Sequence, residues 1–190
     1  MEYFVIVFSA IFVNNIVLSQ FLGICPFLGV SQRVTTAIGM SGAVVFVMTL
    51  ATLVTYLLYN FVLLPFGIAY LQTIAYILII ASLVQMVEII LKKVSRELYQ
   101  ALGVYLPLIT TNCAILGVAI LVIQKDYNMV ESVVFAVANA VGFGLALIIF
   151  SGIREQLELA DLPKGMIGVP TSLIIAGLLS MAFMGFAGLV

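Results

Sequence analysis

The chain has 190 residues, of which 65% are hydrophobic and 8% charged, with seven basic and eight acidic side chains and no histidine. A soluble domain carries about a quarter charged residues, so a mean hydropathy of +1.34 excludes a soluble enzyme, a nucleic-acid binder and a disordered chain. The absence of histidine removes imidazole acid–base chemistry and His-ligated metal or haem, and a net charge of -1 points to no particular partner. The class that remains is an all-α integral membrane protein.

Charges divide the chain into uncharged runs at 3–32, 34–87, 98–124, 132–153 and 165–190. A bilayer core needs about 20 apolar residues in a helix. The run 34–87 holds two such lengths and carries its own turn signal at Asn60 and Leu64-Pro65-Phe66-Gly67. Six spans are therefore predicted, at about 3–23, 37–59, 70–91, 102–124, 131–151 and 168–189. A β-barrel is disfavoured because its strands would alternate polar and apolar residues.

The first span follows Met1-Glu2, with neither a basic leader nor a small-residue cleavage site, and reads as an uncleaved anchor. Gly23 and Pro26 flank Cys25 at its end, and such residues interrupt helices. Asn14, Asn15 and Gln20 are polar groups within it. They suit hydrogen bonds between helices or, for Asn14 and Asn15, an oxygen-lined ion path. The third span holds Glu88, the one acid inside a predicted span. It is an interfacial ion-pair partner of Lys92, four residues on, or an ion-coupling carboxylate.

The fourth span contains Pro107, then Thr110-Thr111-Asn112-Cys113, then Gly117, and is expected to break there as the first does. In the fifth, Asn139 is a further polar group. Ala138, Ala140, Gly142 and Gly144 form small-residue pairs four apart that favour close helix packing. Arg154 to Leu162 follows as a linker or a short interfacial helix before Pro163. The sixth span ends the chain.

Six spans put both termini on one side. The connections at about 24–36, 92–101 and 152–167 share the other. They hold Arg33, Lys92, Lys93, Arg96, Arg154 and Lys164, whereas the opposite side holds only Lys125. The positive-inside rule places these connections in the cytoplasm and the termini outside. With no tryptophan, Tyr3, Tyr59, Tyr70, Tyr99, Tyr105 and Tyr127 supply the interfacial belt.

The two cysteines open the same short pattern, Cys25-Pro26-Phe27-Leu28-Gly29-Val30 and Cys113-Ala114-Ile115-Leu116-Gly117-Val118, with Leu18 and Leu106 seven residues before each. Three spans lie between the copies, so the halves, about 1–95 and 96–190, enter the membrane from opposite faces. That is a 3+3 inverted-topology repeat in a single membrane domain, with helices 1 and 4 interrupted near the cysteines. The thiols have three readings: buried small hydrophobes, a redox disulfide, or metal ligands. Two thiolates cannot complete a tetrathiolate site, so a metal reading needs two more ligands from another chain.

Val13-Asn14-Asn15, Phe21-Leu22-Gly23-Ile24-Cys25-Pro26-Phe27, Leu106-Pro107-Leu108-Ile109-Thr110-Thr111-Asn112-Cys113-Ala114 and Gly152-Ile153-Arg154-Glu155 carry a resemblance. Together they resemble the family that holds the A subunit of the Rnf (Rsx) complex and the E subunit of the sodium-translocating NADH:quinone reductase. Asn14-Asn15, Cys25-Pro26-Phe27 and Phe183-Met184-Gly185-Phe186 lean towards the Rnf branch. The resemblance implies a bacterial or archaeal inner-membrane component of a complex that couples electron transfer between ferredoxin and NAD to pumping of Na+ or H+. It implies a [2Fe-2S] cluster ligated by Cys25 and Cys113 together with two cysteines of a homologous partner of opposite topology, the Rnf E subunit. Asn112 and Thr111, next to and near Cys113, suit hydrogen bonds between helices or, with such a cluster, bonds to its sulfurs. The B, C, D and G subunits would carry the flavins, the other clusters and the NAD site, since this chain has no dinucleotide fingerprint and no catalytic acid or base. Two rivals stay open on the residues alone: an inverted-repeat secondary transporter, and a membrane thiol–disulfide oxidoreductase.

Overall fold

A computed structural model describes residues 2–94, 106–159 and 168–185. Arg96, Tyr99, Tyr105, the stretch from Ala160 through Pro163 to Lys164, and Phe186 lie outside the described residues. Within them the fold is entirely helical. Helix α1 (Glu2–Phe8) continues as a π turn over Ser9–Val13, closed by the Asn14 N–H donating to Ser9 O at 2.7 Å. The expected helix over 3–23 therefore stops at Val13. Residues 14–23 follow in irregular turns, with Phe21 and Gly23 at positive φ (55° and 84°). Helix α2 (Ile24–Val30) then carries Cys25.

Helix α3 (Val34–Leu58) passes through a π turn at Tyr59–Leu63 into a last turn at Leu64–Phe66. The turn expected at Asn60 lies within this helix. Asn60 Nδ2 donates back to Tyr56 O (3.1 Å), and Pro65 sits at the start of the closing turn, where its missing N–H costs little. The reversal comes at Gly67, and a 3-10 turn at Ala69–Leu71 leads into α4 (Gln72–Val94).

Helix α5 (Leu106–Thr110) ends at Thr111–Asn112, and α6 (Cys113–Gln124) restarts directly, capped by the Asn112 side chain. Pro107 lies in the first turn of α5, as Pro26 does in α2, so both prolines begin helices rather than break them. Helix α7 (Met129–Glu158) opens with the Glu131 carboxylate accepting from Asn128 N–H at 3.0 Å. It outlasts the expected 131–151 by about two turns. Arg154 to Glu158 are thus helical and continuous with the span, because charge ends a hydrophobic run without ending a helix. Helix α8 (Val169–Met184) follows.

Among the described residues four helices are long and apolar enough to cross a membrane: Val34–Phe66, Gln72–Ile90, Pro107–Gln124 counted across its break, and Met129–Glu158. Tyr3–Val13 and Val169–Met184 are shorter apolar helices. Helices α3 and α7 form the central pair. Met40, Val44, Met48 and Ala51 of α3 and Ala136, Ala140, Phe143, Leu147 and Phe150 of α7 are fully buried in one apolar core. The small residues of α7 let backbones approach. A Cβ on Gly144 would lie 3.0 Å from Ser41 Cβ of α3, and one on Gly142 would lie 3.2 Å from Ile11 Cα of the π turn after α1. The pairs read from the sequence therefore serve packing within the chain.

Candidate functional site

The irregular segment 14–23 is held by side chains that replace the bonds of a missing helix. Asn15 is 1% exposed and fully engaged: Nδ2 donates to Gly142 O (2.8 Å) and Ile11 O (3.1 Å), and Oδ1 accepts from Val17 N–H (3.1 Å). Its role is thereby to satisfy freed backbone groups at the break. Ser180 Oγ of α8 donates to Leu18 O at 2.6 Å. Beyond the break, the Phe27 ring stacks on Phe150 of α7 with centroids 4.3 Å apart. Arg154 Nη1 donates to Leu28 O (2.8 Å) and Ser31 Oγ (2.9 Å), covering the carbonyl end of α2.

These ties bring α2 against the second interrupted segment. The backbone N–H of Gly23 donates to Cys113 Sγ at 2.9 Å, across 90 residues of sequence. On either side of that bond the two segments interlock. Leu108 Cδ1 comes within 3.2 Å of where a Gly29 Cβ would sit, and Leu22 Cδ1 within 2.9 Å of a Gly117 Cβ. Gly23 is at φ 84°, and a Cβ there would lie 2.8 Å from Phe143 Cε2 and 3.2 Å from both Ala114 Cβ and Asn112 Oδ1. Only glycine meets both demands. The sequence marks Gly23 merely as a helix breaker; its part as a donor to sulfur depends on a contact that spacing does not reveal.

Cys113 is half-buried and Cys25 exposed, and both are free thiols. Each sits in the first turn of its helix, α6 and α2. Asn112 is 2% exposed. Its Oδ1 accepts from Ala114 N–H (3.0 Å), and Nδ2 is buried with no hydrogen-bond partner among the described residues. The orientation of the amide follows from that cap, since turning it over would oppose two donors. Thr111 is exposed, and its hydroxyl donates to Pro107 O at 3.0 Å. Among the described residues no group of three or more His, Cys, Asp or Glu side chains converges.

The other polar candidates lie apart. Asn14 is exposed, its Nδ2 donating to Ser9 Oγ (3.0 Å), and it lines a cavity of about 410 Å³ with Ser9, Gln20, Asn139 and Lys125. Asn139 donates to Phe135 O (2.8 Å), and the Lys125 ammonium lies over the Phe135 ring at 5.0 Å. Glu88 is half-buried on α4 and is not among the residues lining that cavity.

Long apolar helices, with a free thiol on each of two interlocked, interrupted segments, are those of a polytopic membrane protein. The family described as "Rnf-Nqr subunit, membrane protein" matches residues 3–190, and the chain belongs to that family. It is 60% identical over 184 residues to the A subunit of the Na(+)-translocating ferredoxin:NAD(+) oxidoreductase complex of Acetobacterium woodii, covering 97% of this chain and 96% of the relative. The A subunit of the ion-translocating oxidoreductase complex of Syntrophotalea carbinolica is 59% identical over 185 residues, covering 97% and 96%. The protein of the same name from Pseudoalteromonas atlantica is 53% identical over 189, covering 100% and 98%.

Proposed function

We propose that this chain is the membrane-embedded A subunit of an ion-translocating ferredoxin:NAD(+) oxidoreductase complex and supplies half the ligands of a [2Fe-2S] cluster. End-to-end relation to proteins of that name supports its place in the complex. The Gly23 N–H to Cys113 Sγ bond carries the assignment of the site, because it joins the two cysteine-bearing segments into one. The residues fit the group. Two free thiols, one on each of the joined segments, would make half of a four-thiolate set. Asn112 Nδ2, in the residue next to Cys113, is a buried donor with no acceptor among the described residues, which suits a sulfur acceptor. Such an orphan costs about 1–3 kcal/mol unless something accepts from it. A bound cluster would supply one-electron storage at membrane depth.

In this reading Cys25 and Cys113 bind iron, while Gly23 N–H and Asn112 Nδ2 face sulfur. Thr111 contributes the end of α5, its hydroxyl proton being engaged by Pro107. The exposed edge at Cys25 leaves the ligand set open to a second polypeptide. Its source is a homologous protein of opposite topology bearing two more cysteines. Nucleotide and flavin chemistry belongs to other members of the complex.

Six spans in a 3+3 repeat fit the order of elements, since each half runs short helix, break, cysteine-bearing helix, long helix, then one further helix. The cytoplasmic connections are those with Arg33, Lys92, Lys93 and Arg154, in the inner membrane. Asn14 and the cavity it lines are the best-formed candidates for a cation path, ahead of Glu88 and of Asn15, whose side chain is fully engaged.

Cys25→Ala or Cys113→Ala in the purified complex should each abolish one membrane-associated iron–sulfur signal in EPR. A variant retaining that signal at full intensity overturns the site. Expressed alone, the chain should insert with little iron. With its opposite-topology homologue it should hold about two irons per pair. A reporter fused after Val190 should lie outside the cytoplasm.

A further inference from the structure

Helix α2 carries Cys25 and has only seven residues, among them Gly29, a poor helix former. A helix shorter than about 12–15 residues is marginal on its own, so what holds α2 lies outside it. Its start is tied by Gly23 N–H to Cys113 Sγ, and its middle by the Phe27 ring on Phe150. Its end is tied by Arg154. There the carbonyls have no partner inside the helix. Arg154 Nη1 donates to Leu28 O (2.8 Å) and to Ser31 Oγ (2.9 Å), while the fully buried Ser31 hydroxyl reaches Leu28 O at only 3.5 Å. Without the guanidinium that long bond is what remains on the end of a two-turn helix.

The next residue of α7 holds the other side of the same corner. Glu155 Oε2 accepts from the N–H of Val34, the first residue of α3, at 3.4 Å. A cation on the carbonyl end of one helix and a carboxylate on the amide start of the next match the partial charges at those ends. Neighbours on a helix point in different directions, as targets on the two sides of a corner require. The Gly152-Ile153-Arg154-Glu155 motif thereby grips the turn between α2 and α3.

We propose that Arg154 is the positioning residue for Cys25, acting through α2, with Glu155 steadying the corner behind it. The planar, permanently charged guanidinium suits this task better than an ammonium does. The consequence for iron rests on Cys25 being a cluster ligand; the tie itself does not.

The test uses the purified complex, with peptide-resolved hydrogen exchange to read the tie and EPR to read its consequence. In Arg154→Ala the amides of residues 27–31 should exchange about 10-fold faster or more, the factor carried by one hydrogen bond to a charged group. Arg154→Lys should fall in between. The same order should hold in a Cys25→Ala background, where no cluster contributes. With Cys25 present, Arg154→Ala should shift the g-values of the membrane-associated iron–sulfur signal, and lysine should restore part of the shift. Val84→Ala controls for simple loss of stability, since it empties a buried site on α4, which packs on α3, α5 and α6. It should lower the melting temperature and leave both readouts unmoved. If Arg154→Ala does not assemble, Ser31→Ala removes one of the two acceptors and should move both readouts in the same direction. Unchanged exchange, faster exchange with unmoved g-values, or an equal shift in Val84→Ala would each overturn the positioning role. A parent complex without the signal would refute the cluster reading, whereas unchanged exchange in the Cys25→Ala background would refute the tie.

Discussion

Replacing Gly23 with alanine tests whether the cysteine site depends on a backbone that only glycine can adopt. Two costs act together. At φ 84° a Cβ carries the left-handed penalty of about 1–2 kcal/mol. The added methyl would also sit 2.8 Å from Phe143 Cε2, on a fully buried ring at the centre of α7. Overpacking of this kind costs about 1–3 kcal/mol. Combined, about 2–5 kcal/mol falls on the residue whose N–H holds Cys113 Sγ. The segment relieves this by moving away, which breaks the bond and parts the two cysteine-bearing segments. Iron content and the EPR signal of the purified complex should fall sharply, with a lower melting temperature in detergent. Gly42→Ala is the control: nothing lies within 4 Å of its Cβ in the middle of α3, and alanine there should be neutral or stabilise by up to about 1 kcal/mol. Full iron and an unshifted melt in Gly23→Ala would show that this bond and backbone do not set the site.

Asn112→Ser keeps an oxygen to cap Ala114 N–H but removes the orphaned amide donor. The midpoint potential of the cluster should become more negative, since donors to sulfur favour the reduced form, and an unchanged potential would mean the amide faces elsewhere. Arg154→Ala removes two bonds to the end of α2 and leaves Leu28 O uncovered. A loss of about 2–4 kcal/mol is expected from the melt, with partial recovery in Arg154→Lys. Gly142→Ala presses a methyl to 3.2 Å from both Asn15 Nδ2 and Ile11 Cα. It should destabilise by about 1–3 kcal/mol, and an unchanged melting temperature would show that the break has slack.

Uncharged runs locate every long helix, because apolar length alone decides whether a segment can cross a bilayer. The end of the first span is not legible in the same way. Helix α1 and its π turn stop at Asn14 because Asn15 finds the carbonyl of Gly142 on α7, a partner 127 residues away. Local composition contains no trace of that bond. The prolines mark the right neighbourhoods for the wrong reason: the chain breaks before Gly23 and at Thr111–Asn112, and each proline then lies at the start of a helix. The repeated pattern at the two cysteines marks the two segments that the Gly23 N–H to Cys113 Sγ bond joins. The Gly23 N–H to Cys113 bond and the Arg154 tie to α2 are not legible, since a backbone donor has no side chain to read. Arg154 shows in the sequence only as a charge and as part of the Gly152-Ile153-Arg154-Glu155 motif, with no sign of its partners Leu28 and Ser31.

The ties on residues 14–31 also fix an order of events during synthesis. Asn15 waits for Gly142, Gly23 for Cys113, Leu28 for Arg154, and Leu18 for Ser180. At translation rates of about 5–20 residues per second, roughly 8–30 s separate the emergence of this stretch from that of its last anchor. Throughout that interval the first cysteine sits on a segment without its final scaffold. The fold around both cysteines is therefore complete only once the polypeptide is, and a chain truncated before α8 should enter the bilayer yet never reach its native packing.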